Sequence, residues 1–176
     1  METEFEIRIL DIDVGKIKKK LESLGAKFLM SRKQRRNIYF FKPKEHATWL
    51  RLRDQGDKST LTIKKLDSYT IDGAKELEVE VSDFEKTDQI LRKLGFESAL
   101  YQENKRESYS LNGADVEIDS WPKIPPYLEI EGSSIEEIEA IVKLLGFDMS
   151  QTTPLHGDAI YEHYGLNIND FKELKF

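Results

Sequence analysis

The chain has 176 residues, no cysteine and a formal net charge of −6; 39% of its residues are hydrophobic, 34% are charged and 10% are aromatic. These values argue against a disordered chain, against generic attraction to nucleic acid or membranes, and against disulfide or cysteine–metal chemistry. Since neither an N-terminal leader nor an apolar run of membrane-spanning length is evident, we expect a cytoplasmic protein with a single domain over residues 1–176.

The hydrophobic pattern predicts about eight strands and several helices. The first strand covers about residues 2–10, and an amphipathic helix with Asp13 as its N-cap follows it. A long extended segment, "AKFLMSRKQRRNIYFF", leads to strands over "ATWLRLRDQ", "KSTLTIKKL" and "AKELEVEVS". After a second helix, a hairpin turns at Asn112-Gly113, and the strand "PYLEIEG" precedes a third helix and a short helix near 155–164. Short connections make the strands mostly antiparallel, which indicates an α+β fold.

Most of these strands alternate apolar residues with charged residues, so each has one apolar face and one charged face. The acidic members of the charged faces are Glu4, Glu6, Glu76, Glu78, Glu80, Glu117, Asp119, Glu129 and Glu131, and the basic members are Arg8, Arg51, Arg53, Lys64 and Arg106. The plainer interpretation is an open sheet whose charged face lies in water. The alternative is a closed sheet with the charges inside, where bound ligands would offset the repulsion within each row.

If the sheet closes, the charged residues suggest a specific chemistry. Carboxylates without cysteine or histidine neighbours suit hard cations such as Mg²⁺ or Mn²⁺. Convergent arginine and lysine side chains suit phosphate oxygens. Together they predict a metal-assisted site for a polyphosphate.

Several of these motifs occur in an order that resembles a known family. A Glu-x-Glu-x-basic first strand, then "LRLR", "LTIKK", "ELEVEV", a "KR" strand and "YLEIEG" are similar to the CYTH superfamily of triphosphate tunnel metalloenzymes. This superfamily includes class IV adenylate cyclases, thiamine triphosphatases and inorganic triphosphatases. The resemblance implies an eight-stranded antiparallel closed β-barrel, or tunnel, with helices packed outside, and an enzyme that uses Mg²⁺ or Mn²⁺ on a triphosphate.

Carried over by position, the resemblance also implies roles for individual residues. The expected metal residues are Glu4, Glu6, Glu129 and Glu131, with Glu78, Glu80 and Asp119 for a second ion or its waters. The expected phosphate residues are Arg8, Arg51, Arg53, Lys64 and Arg106. Glu6 and Lys64 are the catalytic candidates, and Lys64 could be a general base instead of a phosphate ligand. Three positions depart from the family pattern, namely Arg8 in place of lysine, Asn37 in place of aspartate, and Asn104 two residues before Arg106.

The sequence leaves the reaction open. We favour hydrolysis of inorganic triphosphate or of a triphosphorylated small molecule, because no base-specific group of residues stands out. The alternatives are conversion of ATP to cyclic AMP and pyrophosphate, and a binding module without turnover. The expected partner is thus a triphosphate-containing small molecule, with no nucleic acid and no membrane, and a homodimer is compatible with the sequence.

The histidines and one tryptophan allow further interpretations. His46, His156 and His163 could suggest zinc, but no third ligand is evident beside the last two, so we expect a surface or capping role. Trp121 could stack a nucleobase at the tunnel mouth, although packing in the core or at the rim is the expected role.

Overall fold

The computed structural model describes residues 1–41 and 47–176, so His46 lies outside the described residues. The strands are β1 (Glu2–Ile9), β2 (Lys27–Phe40), β3 (Thr48–Asp54), β4 (Ser59–Leu66), β5 (Ala74–Val81), β6 (Ser98–Leu111), β7 (Ala114–Ser120), β8 (Tyr127–Gly132) and β9 (Glu173–Leu174). The α-helices are α1 (Val14–Ser23), α2 (Phe84–Lys93), α3 (Ile135–Leu145) and α4 (Gly157–His163).

Strands β1 to β8 form a closed barrel. Their order is β2-β3-β4-β5-β1-β8-β7-β6, all neighbours are antiparallel, and β2 also pairs with β6 to close the ring. The two-residue strand β9 adds to β6 in parallel. The α+β fold with an eight-stranded antiparallel barrel is therefore confirmed.

The hairpin between β6 and β7 has the turn that the sequence predicts. Asn112 and Gly113 both have positive φ, 53° and 100°. A type I′ turn requires positive φ at its two central residues, and asparagine and glycine adopt it at the lowest cost.

The main apolar core lies outside the barrel, between its wall and two helices. Ile7 of β1 and Ile130 of β8 point away from the barrel axis and pack with Leu21 of α1 and Ile138 of α3. Asp13 caps α1 as predicted, because its carboxylate accepts from the backbone N–H of Lys16 at 3.0 Å. The helices therefore bury the apolar face of the wall and leave the charged face inside.

One part of the outer wall has no such cover. Helix α2 packs over β2 and β3 in a second apolar cluster, but Leu77 and Val79 of β5 are 57% and 58% exposed. These two apolar residues of β5 are thus largely exposed to solvent.

The seam between β1 and β5 is short. The two strands pair only from Glu2 to Glu4. Beyond that point the backbone N–H of Glu6 donates to Ile71, and the N–H of Arg8 donates to Thr153, each at 2.9 Å. Loop residues therefore complete this side of β1.

Among the described residues, no helix combines the length and the apolar character needed to cross a membrane.

Candidate active site in the barrel interior

The interior of the barrel is a cavity of about 830 Å³ whose wall is largely charged. Side chains alternate along a strand, so β1 directs Glu4, Glu6 and Arg8 inward while its apolar residues face the helices. Arg51 and Arg53 of β3 line the cavity in the same way. The charged faces of these strands therefore lie inside the barrel and not in bulk solvent.

Carboxylates from three neighbouring strands form one side of the cavity. Glu6 on β1 lies directly opposite Glu131 on β8, and Glu129 on β8 lies directly opposite Glu117 on β7. Like charges in paired positions repel each other. Arg8 partly offsets this repulsion, because its guanidinium contacts Glu6 at 2.5 Å and Glu129 at 2.8 Å.

Several carboxyl groups of the cavity have strongly shifted pKa values. Burial outweighs a 2.8 Å contact with Lys64 and raises the pKa of Glu4 to about 7. Glu131 lines the cavity but is exposed to solvent; desolvation by the surrounding protein atoms and then the neighbouring carboxylates raise its pKa to about 8. At Glu129, burial is overcome by two arginines, which lower the pKa to about 2. The negative charges of Glu4 and Glu131 are thus not fully neutralised by neighbouring cations.

Arginines line the other side, since β2 and β3 lie across the ring from β1 and β8 in the strand order. Arg36 on β2 is directly opposite Arg53 on β3. Burial, followed by repulsion from Arg51 and Arg106, lowers the pKa of Arg36 to about 9. Burial and the neighbouring arginines also hold the pKa of Arg53 well below its usual value. This side of the cavity is short of negative charge.

The partners of Arg36 are neutral. Its guanidinium donates to the amide oxygens of Gln34 at 3.0 Å and Asn104 at 2.6 Å, and it makes no ion pair with the residues that the structure describes. Asn104 in turn donates to Asp119 at 3.2 Å. The departure from the family pattern at Asn104 therefore places a neutral amide beside a buried, unneutralised cation.

All of the predicted phosphate residues line the cavity: Arg8, Arg51, Arg53, Lys64 and Arg106. They differ in how far carboxylates already neutralise them. Arg106 contacts Glu117, Asp119 and Glu129, whereas Arg53 has a single acidic partner among the described residues, Glu78, at 3.4 Å. Arg53 is therefore more available to an anion than Arg106.

Lys64 lies beside the carboxylate row. Its ammonium group is 2.8 Å from Glu4 and 3.4 Å from Glu76. Two acidic contacts suit a charged lysine that helps to bind a ligand, and they favour this role over that of a general base.

Some of the predicted metal residues line the cavity and others do not. Those that line the cavity are Glu4, Glu6, Glu78, Glu129 and Glu131. Glu80 is exposed on β5 and does not line the cavity, and Asp119 is fully buried, with Arg106 bound to both of its oxygens at 2.8 and 2.5 Å. Asp119 is placed to orient Arg106.

The sequence pattern did not predict two of the arginines that line the cavity. Arg32 and Arg36 both line the cavity from β2. The segment "RKQRR" carries basic residues at both parities, so alternation could not show which side chains point inward. Pairing with β3 supplies the missing information, because Arg36 faces Arg53 in register.

The predicted surface or capping role is wrong for His156. It occupies the N-cap position of α4 but makes no side-chain capping bond. Instead it is buried in the cavity wall with Nδ1 3.1 Å from the carboxylate of Glu6, whereas His163 is exposed. Only folding brings His156 to β1, so no local sequence signal pointed to the contact.

The cavity carboxylates suit a hard divalent cation by their chemistry, because all the candidate ligands are oxygen atoms. Glu4, Glu6, Glu129 and Glu131 are the residues that would hold it. In the part of the chain that the structure describes, no group of three His, Cys, Asp or Glu residues is already arranged as a metal site. Arg8 and Lys64 now contact three of these carboxylates, so metal binding would require these contacts to loosen.

Comparison with known proteins agrees with this geometry. The CYTH domain family matches residues 2–154. A Methanocaldococcus jannaschii protein named "Putative adenylate cyclase" is 33% identical over 150 residues, which are 81% of this chain and 83% of that protein. Among solved structures, the PH1012 protein of Pyrococcus horikoshii has a TM-score of 0.76 at 28% identity, with 87% of this chain and 96% of that chain covered.

A plant protein shares the fold at lower identity. It comes from Hippeastrum, is called a "Putative adenylyl cyclase" and is described as having a dominant triphosphatase activity. Its TM-score is 0.63 at 17% identity, with 94% of this chain and 96% of that chain covered. At that identity the likeness shows the fold alone.

Proposed function

We propose that this chain, which belongs to the CYTH domain family, is a divalent-metal-dependent phosphohydrolase that acts on a triphosphate inside its barrel. The observation that carries this proposal is the opposed electrostatic deficit of the cavity. Glu4 and Glu131 have raised pKa values, whereas Arg36 and Arg53 have lowered ones. A ligand that is both anionic and bound to a cation relieves both deficits at once.

In this proposal the chain's own residues bind and orient the substrate. Arg36, Arg51 and Arg53 hold the phosphate oxygens and stabilise the charge that develops on them, inside the barrel and away from bulk solvent. Lys64 supports them from the carboxylate side. Glu6 and the neighbouring carboxylates would hold Mg²⁺ or Mn²⁺, which would neutralise part of the negative charge of the phosphates.

In the proposed hydrolysis, the terminal phosphate is cleaved from the triphosphate. Water attacks the terminal phosphorus, the bridging P–O bond breaks, and orthophosphate and the shortened phosphate chain are released. The in-line positioning of the terminal phosphate is the part of this reaction that the arginine side of the cavity provides.

The second candidate is cyclisation of ATP to cyclic AMP and pyrophosphate. The name of the Methanocaldococcus jannaschii relative favours it. In that reaction the ribose 3′-hydroxyl replaces water as the nucleophile and the α-phosphorus is attacked.

The test is a product assay with tripolyphosphate, thiamine triphosphate and ATP, each with Mg²⁺ or Mn²⁺. Orthophosphate release is expected, and Glu6→Gln should lower it by about 100-fold or more, since loss of mere supporting groups at metal sites costs 10–100-fold. Glu139→Gln is the matched control, because Glu139 is exposed on α3 and does not line the cavity.

The outcomes separate the candidates. Cyclic AMP with pyrophosphate would replace hydrolysis by cyclisation. Saturable binding without any product would show a binding module, and full activity of Glu6→Gln would contradict the metal role of Glu6.

A further inference from the structure

Glu6 is a buried carboxylate of the cavity whose two oxygens have different neighbours. Oε2 contacts the guanidinium of Arg8 at 2.5 Å, and Oε1 lies 3.1 Å from Nδ1 of His156. Both residues are nearly enclosed, because Glu6 is 4% exposed and His156 is 9% exposed. Oε1 makes no aligned hydrogen bond with any residue that the structure describes, so the imidazole is the group placed to supply one.

Backbone pairing brings His156 to this position. The N–H of Arg8 donates to the carbonyl of Thr153 at 2.9 Å, and the N–H of Thr153 donates back to the carbonyl of Arg8 at 2.8 Å. In an antiparallel pairing, the residues that follow Thr153 run alongside those that precede Arg8. The chain therefore reaches Glu6 just before α4 begins at Gly157.

Helix α4 holds the histidine from the other side. Ile160 and Tyr161 of this helix are each 2% exposed, and the hydroxyl of Tyr161 donates to the carbonyl of Pro122 at 2.9 Å. The ring of His156 thus has a fixed place in the cavity wall, between this buried helix and the pairing with β1. It comes from a segment beyond residues 2–154, the part of the chain that the CYTH domain family matches.

The second ring nitrogen bears on the charge of His156. Nε2 is buried and has no hydrogen-bond partner among the described residues. A doubly protonated ring would bury a charge whose second N–H finds no acceptor, and a carboxylate in contact with Nδ1 can only accept. These surroundings favour an uncharged ring with its proton on Nδ1. A divalent cation would repel the guanidinium of Arg8 but would not repel such a ring.

We propose that His156 is a positioning residue for the metal site, and that its Nδ1–H holds the carboxylate of Glu6 in the orientation that binds a divalent cation. The inference rests on the proposed function, because it takes Glu6 to be a metal ligand. In the protein without metal, Arg8 competes for this carboxylate. The contact with His156 should become an aligned hydrogen bond when the contact with Arg8 loosens.

The test measures metal affinity and not turnover. Mn²⁺ is titrated into the protein without a triphosphate, and electron paramagnetic resonance measures the free ion. His156→Leu removes the N–H donor and should raise the Kd of Mn²⁺ by about 10–100-fold, the usual cost of losing a group that orients a metal ligand. His156→Asn has the same branched shape as leucine but retains an N–H donor near the position of Nδ1, so its Kd should stay within about threefold of wild type.

His163→Ala is the matched control, because His163 is an exposed histidine of the same helix and does not line the cavity. Its Kd for Mn²⁺ should equal that of wild type. Circular dichroism without metal shows whether each variant is folded, and His156→Ala replaces His156→Leu as the variant without a donor if the leucine variant does not fold.

A double-mutant cycle tests whether His156 acts through Glu6. In a Glu6→Ala background the carboxylate is absent, so His156→Leu should change the remaining affinity for Mn²⁺ by less than about twofold. An equal loss of affinity in both backgrounds would show that His156 acts independently of Glu6 and would overturn the inference.

The other outcomes separate this inference from the proposed function. Equal Kd values for wild type and His156→Leu would overturn the inference and leave the proposed hydrolysis standing. A loss in His156→Asn as large as that in His156→Leu would do the same, because packing and not the N–H would then account for it. The expected affinities in a protein that releases no phosphate from any triphosphate would support the inference and refute the hydrolysis, and a wild type that binds no Mn²⁺ would refute both.

Discussion

Individual residues of this protein carry charges that their neighbours do not balance. Glu131 has no ion-pair partner among the described residues, and Arg36 donates only to neutral amides. Their pKa values, about 8 and about 9, are both shifted towards the neutral form of the side chain. At the scale of single residues, the protein without ligand is therefore destabilised at the positions where ligand charge is expected.

The shifted pKa of Glu131 predicts a pH dependence of stability. Its pKa is about 8 in the folded protein against 4.5 ordinarily, so the folded state holds this proton more tightly than the unfolded state does. The free energy of unfolding should therefore fall as the pH rises from about 4.5 through about 8. Without metal, Glu131→Gln should have a higher Tm than wild type at about pH 9 and a similar Tm near pH 5, by differential scanning calorimetry in EDTA.

Glu139→Gln serves as the control for this experiment, because its exposed carboxylate should leave the Tm-against-pH curve of the wild type unchanged. Parallel curves for wild type and Glu131→Gln would contradict the raised pKa of Glu131.

At the scale of single strands and helices, the sequence predicted the orientation of side chains in some elements and not in others. In β1 and β3, each parity has one chemical character, so alternation alone placed Glu6 and Arg53 on the charged faces of their strands, and the resemblance to the CYTH superfamily implied that these faces point inward. In β2, basic residues occupy both parities, and the role of Arg36 became evident only from pairing with β3. His156 reaches Glu6 from a helix about 150 residues later in the chain, and no local pattern records a contact of that kind.

The β6–β7 hairpin was predictable because its turn chemistry is local, and it allows a quantitative test. Gly113 has a φ of 100°, and a Cβ there would lie 3.0 Å from the carboxylate of Glu137. Gly113→Ala should lower the free energy of unfolding by about 1–2 kcal/mol, measured by urea denaturation. Asn112→Gly is the matched control, because glycine adopts the φ of 53° at this position without strain, and it should change stability by only about 0.5 kcal/mol or less. Equal stability of Gly113→Ala and wild type would contradict this explanation of the turn.

At the scale of the whole molecule, the barrel brings together charge rows that are far apart in the sequence. The net charge of −6 gave no sign of a concentrated basic surface, because the arginines face inward and oppose carboxylates across the cavity. The closed fold could be inferred from the order of the motifs. The apolar residues that line one end of the cavity could not, since they come from β6, from the loop between β7 and β8, and from the C-terminal residues 160–171.

The two charged sides should make metal and triphosphate binding cooperative. Tripolyphosphate alone would relieve the arginines but repel the carboxylates, and Mg²⁺ alone would do the reverse. We therefore expect the two together to raise the Tm by more than the sum of their separate effects. A ligand at 100 times its Kd adds about 2.7 kcal/mol, or roughly 5–10 °C for a chain of this length.

Thermal shift assays with tripolyphosphate, Mg²⁺ and both together measure this coupling, and orthophosphate with Mg²⁺ is the control for a generic anion effect. Strictly additive shifts would show that the two sides of the cavity bind independently.

The short seam between β1 and β5 bears on how such a cavity exchanges its contents. On the side of β1 that faces β5, the backbone groups of Glu6 and Arg8 are bonded to loop residues. Separating β1 from these loops therefore breaks a few isolated hydrogen bonds and no continuous ladder. Local opening of the barrel wall should consequently cost the least free energy beside Glu6 and Arg8. A reaction product would then leave through the wall between β1 and β5 and not through either end of the barrel.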